Sequence, residues 1–328
     1  MHKSSFILLL LLCFSSCKTA GSHPYADAEP IRIQRFDKIL FSYLETGDDN
    51  RLQAIRRQYP EMLQLIAMGI FNQRSTDNEQ FAERLLNYYS EPTLAGLYRD
   101  ALAAYDEIDD IEQQMGSAFA CLRDLFPAMQ LPTVNMHISG LHQNVLVGQQ
   151  LLSISIDKYL GSDYPLYKEF FYPFQRIKMQ RENITADYLT GLLMSEFPFK
   201  GKESILLERM VYEGKIKWVV ALAYPEIDEA SLLGMSEESF AWCKENEAEL
   251  WKFIIENKHL YTPDLGTTNN YFEDMPAGFI AAEAPPGIGK WIGWQIVAHY
   301  MQRSNSTPEF LMNNQDAQSI LTQSKYRP

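Results

Sequence analysis

Histidine is scarce in this chain of 328 residues, and the placement of its six histidines is unfavourable for a zinc peptidase. A peptidase of the HExxH type needs two histidines four residues apart on one helix, and catalytic zinc needs three protein ligands. No HExxH occurs, and no histidine lies between His142 and His259. The sequence therefore predicts no metal site, no cofactor and no enzymatic activity. The six positions are His2, His23, His137, His142, His259 and His299.

Cysteine is equally rare. Cys13 and Cys17 lie at the N-terminus, which leaves only Cys121 and Cys243 in the body of the chain, without any CxxC pattern. These two residues could form a disulfide in an oxidising compartment. A lone thiol on the apolar face of a helix, however, behaves as a small hydrophobic side chain, and Cys243 shares such a face with Ile254. We favour two free thiols and keep the disulfide as the alternative.

Nucleophilic and acid–base motifs are also missing. There is no GxSxG elbow. Ser139 lies between two histidines in "HISGLH", but at the end of a strand, where a polar loop is expected. Asp157 and Asp163 are close in sequence, and we expect solvated carboxylates of a turn rather than a catalytic pair.

The stretch "PPGIGKWIGWQI" resembles a phosphate-binding loop only at first sight. Gly287, Gly289 and Gly293 give GxGxxxG rather than GxGxxG, and Lys290 is followed by a tryptophan instead of Ser or Thr. Glycines four apart on a helix instead let another backbone approach closely. The pattern predicts helix packing and no nucleotide, with Lys290 over the ring of Trp294 in a cation–π contact.

Positive charge is in deficit, since the formal net charge is -13. This balance argues against nucleic acid as a partner.

Beyond the N-terminus the sequence has no run of about 18 apolar residues, which is the length needed to span a membrane.

The N-terminus carries the clearest signal that is present. Lys3, an apolar run and "FSSC" predict a signal peptide over residues 1–16 and a lipid-modified Cys17, followed by a tether over residues 17–33. A plain secretory signal, with Cys17 incidental, is the alternative. No acidic run follows Cys17, which favours a membrane-anchored protein that faces the periplasm.

The remainder, residues 34–328, is expected to form a single globular domain. Apolar spacing of three and four makes residues 34–127 a helical half. Residues 128–328 begin with short Val- and Ile-rich strands, followed by helices over about 184–196, 203–223, 236–257 and 287–303, the third capped by Ser236. The predicted class is α+β, mostly helical with a small antiparallel sheet.

Arg209, Glu213 and Lys217 are four residues apart and predict a ladder of ion pairs on one helix face.

Several blocks of the sequence together resemble the GldB family of gliding motility-associated lipoproteins of Bacteroidetes. The resemblance covers nearly the whole mature chain in order. The blocks are "FDKILF", "SIDKYLGSDYPLY", "MVYEGKIKWVV", "WCKENEAELWKFIIENKHLYTPD" and "PPGIGKWIGWQIVAHYM".

This resemblance implies a cell-envelope lipoprotein with protein partners in the machinery of gliding and its linked secretion. It also implies a distant similarity to zincin-like metallopeptidases, in which Glu213 falls where a glutamate ligand lies. The preceding helix, residues 186–197, has no histidine. The expectation is a zincin-like scaffold without the metal.

A candidate functional cleft would be formed by Asp157, Glu213, Lys215, Trp294 and Gln295. The favoured function is a non-catalytic scaffold or binding subunit. The alternative is a metal-dependent peptidase or hydrolase with an unusual ligand set, in which Glu213 combines with His259 or His299.

Overall fold

The computed structural model describes residues 24–77 and 79–328, so the predicted signal peptide and Cys17 lie outside the described part of the chain. The first helical stretch contains α1 (Phe36–Leu44), α2 (Asp49–Gln58), α3 (Pro60–Gly69), α4 (Glu79–Tyr89), α5 (Pro92–Ala104) and α6 (Asp109–Leu125). The strands β1 (Thr133–His137), β2 (Val145–Val147) and β3 (Leu151–Ser155) follow, with a short 3₁₀ turn at Ile156–Lys158. The second helical stretch contains α7 (Pro165–Phe170), α8 (Pro173–Arg176), α9 (Asn183–Glu196), α10 (Leu206–Ala223), α11 (Glu229–Leu233), α12 (Glu237–Glu245), α13 (Glu247–Glu256), α14 (Leu265–Asn270), α15 (Ile288–Arg303), α16 (Pro308–Asn313) and α17 (Ala317–Ser324).

The mostly helical class is confirmed, but the sheet is mixed rather than antiparallel. Its order is β1-β3-β2, with β2 antiparallel to β3 and β1 parallel to β3. The antiparallel expectation is therefore right for one pair and wrong for the other. Alternation of apolar residues fixes which side chains share a face, but it carries no information on strand direction.

The N-terminal segment packs on α6 before the predicted start of the domain at residue 34. Ile31 donates its N–H to the carbonyl of Glu112 at 3.1 Å, and Ile33 is only 3 % exposed. Gly116 makes room for this segment, since a Cβ there would lie 2.3 Å from the carbonyl oxygen of Glu29. The described part of the predicted tether is thus part of the folded body.

Two hydrophobic clusters share α10. Ile216, Val219 and Val220 belong to the cluster that includes the sheet and the first helical stretch. Met210 and Val211 belong to the cluster formed with α12, α13 and α15 to α17. α10 is therefore the element through which the two halves of the core are joined.

Candidate functional site

The glycines of α15 serve close helix packing, as predicted. A Cβ on Gly293 would lie 1.8 Å from the carbonyl oxygen of Met210 in α10, and one on Gly289 would lie 3.0 Å from the carbonyl oxygen of Tyr271. The N–H of Gly289 donates to that same oxygen at 2.8 Å. Gly287 has a φ of +73° at the start of the helix. A side chain larger than hydrogen at Gly293 would push α10 and α15 apart, whereas one at Gly289 would displace the segment that follows α14.

The five residues of the predicted cleft do not converge on one point. Glu213 and Lys215 are two positions apart on α10 and therefore point about 200° apart around the helix. Lys215 is buried and donates to the carbonyl of Asn314, next to α16. Among the described hydrogen bonds, none joins Asp157 to Glu213 or to Lys215.

Asp157 is wholly buried and holds the loop that follows β1. Its carboxylate accepts the N–H of Leu141 at 2.7 Å and that of Ser139 at 3.1 Å, and it also bonds the hydroxyl of Ser155. Burial raises the pKa of this carboxyl group, while the hydrogen bonds oppose the shift. The predicted solvated turn at Asp157 is therefore wrong, because the loop amides replace water around it.

Trp294 and Gln295 lie on α15 and are partly buried. The ring of Trp294 contacts Phe240 with centroids 6.5 Å apart, and its indole Nε1 is buried without a hydrogen-bond partner among the described residues. The cation–π contact expected with Lys290 does not occur among the described cation–π pairs, because the ring instead packs against α12.

The predicted ion-pair ladder on α10 is also absent from the described ion pairs. Arg209 instead pairs with Glu203 at 3.4 Å and donates to the side chain of Asn269 at 2.7 Å. Its guanidinium lies over the ring of Phe272, 4.3 Å from the centroid. For Arg209, contacts outside the helix have replaced the local pair, which is worth only about 0.2–0.5 kcal/mol.

Glu213 and Lys217 instead belong to a group of charged side chains around the junction of α9, α10 and α15, here called the junction cluster. The group is linked by electrostatic interactions, and its Lys158 also interacts with the carboxylate of Asp157. Its members are Lys158, Lys178, Lys217, Lys290, Asp187, Glu213 and Asp274. Lys178 and Asp274 form its ion pair.

Lys217 interacts with four other members of the junction cluster, which are Asp187, Glu213, Lys178 and Lys290. Its ammonium group donates to the Oγ1 of Thr190 in α9 at 3.4 Å. Burial lowers the pKa of Lys217, and Lys290 lowers it further, whereas the nearby carboxylates of Asp187 and Glu213 raise it. The ammonium group therefore bridges α9 and α10 with two carboxylates close by.

Asp187 also has a hydrogen-bond partner outside the junction cluster. Its carboxylate accepts the hydroxyl of Tyr159 at 2.7 Å. Asp187, Lys178 and Asp274 were not identified from the sequence. They come from separate segments, and nothing in local spacing connects them. Only the four-residue spacing of Glu213 and Lys217 was visible in the sequence.

The alternative kept from the sequence is a metal site in which Glu213 combines with His259 or His299. No group of three or more His, Cys, Asp or Glu side chains that could hold a metal ion occurs in residues 24–77 and 79–328. His259 bonds the hydroxyl of Tyr271 through Nδ1 at 2.8 Å, and His299 packs edge-on against the ring of Tyr326.

Within the described residues, the helices are all too short or too polar to cross a membrane.

Comparison with known proteins places these observations in a family. The family model described as "Gliding motility protein GldB" matches residues 22–328, which is nearly the whole chain. Neither a curated protein nor a solved structure matches the chain. The match includes α9, α10 and α15 and therefore the whole junction cluster. The chain belongs to the GldB family of gliding motility proteins.

Proposed function

We propose that the chain is a lipoprotein of the cell envelope that acts as a non-catalytic scaffold or binding subunit in gliding motility and its linked protein secretion. A lipid on Cys17 holds it on the membrane, with the folded domain facing the periplasm. Its partners are envelope proteins of that machinery. Family membership and the N-terminal sequence support the envelope assignment.

The position of Lys217 carries the non-catalytic part of the proposal. In a zincin-like scaffold, two ligands come from one helix and a glutamate comes from the next. In this proposal α9 and α10 correspond to those helices, and Glu213 is one turn before Lys217 on α10. The ammonium group reaches Thr190 and interacts with Asp187 and Glu213. A lysine thus supplies the positive charge that a metal ion would supply.

The spacing on α9 agrees with this interpretation. Ala186 and Thr190 are four residues apart, and Asp187 follows Ala186. HExxH has the same spacing, with histidines at the first and last positions and a carboxylate at the second. Ala186 is 3 % exposed, so the helix face that would hold the first histidine is buried in the core.

The first experiment tests catalysis by replacing Glu213. Glu213→Gln keeps the size of the side chain and removes its charge. We expect normal secretion of the linked proteins and, in a host that glides, normal colony spreading. We also expect no stoichiometric zinc in the purified wild-type domain. Stoichiometric zinc together with chelator-sensitive hydrolysis that Glu213→Gln abolishes would overturn the proposal in favour of a metallohydrolase.

A second experiment tests the zincin-like scaffold separately. The triple variant Ala186→His, Thr190→His, Lys217→Ala places two imidazoles four apart on α9 and removes the ammonium group that now reaches Thr190. We expect about one zinc ion per folded chain after dialysis, measured by elemental analysis. Adding Glu213→Gln should weaken binding. A triple variant that is folded by circular dichroism yet binds no zinc would contradict the scaffold.

The anchor and the partners are tested in cells. Cys17→Ser should move the protein from the membrane fraction to the soluble fraction, whereas a protein that stays in the membrane fraction would contradict the lipid anchor. Crosslinking in the native envelope followed by affinity purification should recover proteins of the gliding and secretion machinery. Recovery of cytoplasmic or nucleic-acid-binding proteins alone would contradict the assignment.

A further inference from the structure

One face of the central sheet is polar although it is completely buried. Asn135 and His137 lie on β1, and the parallel register places Ser153 opposite Asn135 and Ser155 opposite His137. Alternate residues of a strand point to the same face, so these four side chains share one face of the sheet. All four are 0 % exposed. A polar sheet face normally lies against solvent, whereas this one lies inside the protein.

The polar face is turned toward the first helical stretch. Leu146 of β2 is the register partner of Ser153 and shares its face. Its side chain fills the space beside Gly69 at the end of α3, where a Cβ would lie 2.7 Å from it. On the opposite face, Val145 lies beside Gly191 of α9. The polar side chains are therefore enclosed between the sheet and the helices of the N-terminal part.

Some of these polar groups are satisfied within the protein. His137 Nδ1 and the hydroxyl of Ser153 are hydrogen-bonded at 2.8 Å. The hydroxyl of Ser155 accepts the N–H of Ser139 at 2.9 Å and donates to Asp157.

Three buried atoms, however, have no hydrogen-bond partner among the described residues. They are Oδ1 and Nδ2 of Asn135 and Nε2 of His137. The two side chains are neighbours on one face of β1, two positions apart. A buried polar group that loses its bonds to water without a replacement is destabilising, and most such groups in native proteins are paired with protein or with ordered water.

The chemistry of the three atoms restricts which group can form hydrogen bonds with all of them. Asn135 offers one acceptor and a donor group. Burial lowers the pKa of His137 to about 3, so its ring is neutral and offers one further donor or acceptor. A cation bound at Oδ1 would leave Nδ2 of Asn135 unpaired, and an anion bound at Nδ2 would leave Oδ1 unpaired. A water molecule both donates and accepts, and buried waters make about three hydrogen bonds.

We infer that an ordered internal water molecule bridges the side chains of Asn135 and His137. This water completes the polar face of the sheet. It joins β1 to the network that runs through Ser153 on one side and through Ser155 and Asp157 on the other.

A high-resolution crystal structure of the folded domain tests the inference directly. We expect density for a water within about 3 Å of the Asn135 amide and of His137 Nε2. Empty space at this position, or density that refines as a metal ion, would overturn the inference.

Substitution gives a second test in solution. Asn135→Leu keeps the approximate volume but removes both polar groups. Asn135→Leu removes groups that hold the water and leaves His137 Nε2 without a hydrogen-bond partner. The melting temperature should therefore fall, and magnetic relaxation dispersion should count one long-lived water fewer than in the wild type. The double variant Asn135→Leu, His137→Leu should recover part of the loss. Asn135→Leu that melts above the wild type, with the count of long-lived waters unchanged, would show that the groups are unpaired and the site is dry.

Discussion

Gly214 of α10 and Gly293 of α15 face each other at the crossing of the two helices. A Cβ on Gly214 would lie 2.2 Å from the carbonyl oxygen of Gly293 and 2.9 Å from the backbone nitrogen of Trp294. The two backbones therefore touch directly, without side chains between them. This contact fixes the distance between α10, which carries Glu213 and Lys217, and α15, which carries Lys290.

Gly293→Ala is expected to destabilise the protein. The new Cβ would overlap the carbonyl oxygen of Met210, so α10 and α15 must separate, at a cost of about 1–3 kcal/mol or more in the free energy of unfolding. The matched control is Gly96→Ala in the interior of α5, where a Cβ meets nothing within 4 Å. The control should be stabilising by up to about 1 kcal/mol, because Ala favours helix over Gly. Urea unfolding followed by circular dichroism measures the free energy of unfolding of both variants. Equal changes in the two variants would contradict the close contact at Gly293.

Lys215→Met is expected to stabilise the protein at neutral pH. Burial lowers the pKa of Lys215 to about 8, which means that the folded state disfavours the charged form. Removing the charge should raise the free energy of unfolding by about 1–3 kcal/mol at pH 7, reduced by the lost bond to Asn314.

The effect of Lys215→Met should also depend on pH. The unfolded lysine keeps its proton up to about pH 10.5, so the wild type gains stability as the pH rises from about 8 toward that value. The advantage of the variant should therefore shrink between pH 8 and pH 10. Thermal unfolding at several pH values measures it, and a constant difference would mean that Lys215 is solvated.

His137 should make the protein sensitive to acid. Its pKa is about 3 in the folded state and 6.5 in an ordinary environment, so below pH 6.5 the unfolded chain binds a proton that the folded chain does not. Stability due to this residue is intact above pH 6.5 and declines by up to about 1.4 kcal/mol per pH unit as the pH falls toward 3. Between pH 6.5 and pH 3, the free energy of unfolding of the wild type should fall more than that of His137→Gln. Parallel curves for the two proteins between pH 7 and pH 4 would be the opposite result.

Cys121 and Cys243 should both be unreactive thiols. Both are free and buried, and burial raises the pKa of Cys121 to about 11 and that of Cys243 to about 12. At neutral pH almost no thiolate is present to react. In the domain without Cys17, a thiol reagent should modify neither cysteine when folded and both when denatured. Rapid labelling of the folded domain, or a disulfide found by mass spectrometry, would contradict this arrangement.

Helices were the part of the fold that the sequence predicted best. The apolar spacing of three and four that predicted a helical half over residues 34–127 is borne out in α6 and its two flanking positions. The buried residues there with that spacing are Ile108, Ile111, Met115, Phe119, Leu122 and Phe126. Ser236 caps α12 by accepting the N–H of Ser239, as predicted. The helix expected over residues 236–257 is in fact two helices, because Asn246 leaves the helical conformation and its side chain bonds the carbonyl of Trp242.

Strand direction and the junction cluster were beyond local prediction. The parallel pairing of β1 with β3 depends on how the chain returns after residue 137, and alternation is the same for either direction. The cluster brings Lys217 to Thr190 across 27 positions of the sequence and Lys178 to Asp274 across 96. Such contacts are set by packing and not by spacing.

The sequence by itself determined the helical periodicity, the glycine spacing that allows α10 and α15 to touch, and the blocks that identify the family. These features are local, because propensity, capping and side-chain size act within a few residues. Only the tertiary structure decided that the polar face of the sheet is buried, that Lys215 is buried with its ammonium group bonded to the carbonyl of Asn314, and that Lys217 lies between α9 and α10. These features depend on which distant groups replace water around each charge, and that replacement follows only when the whole chain is packed.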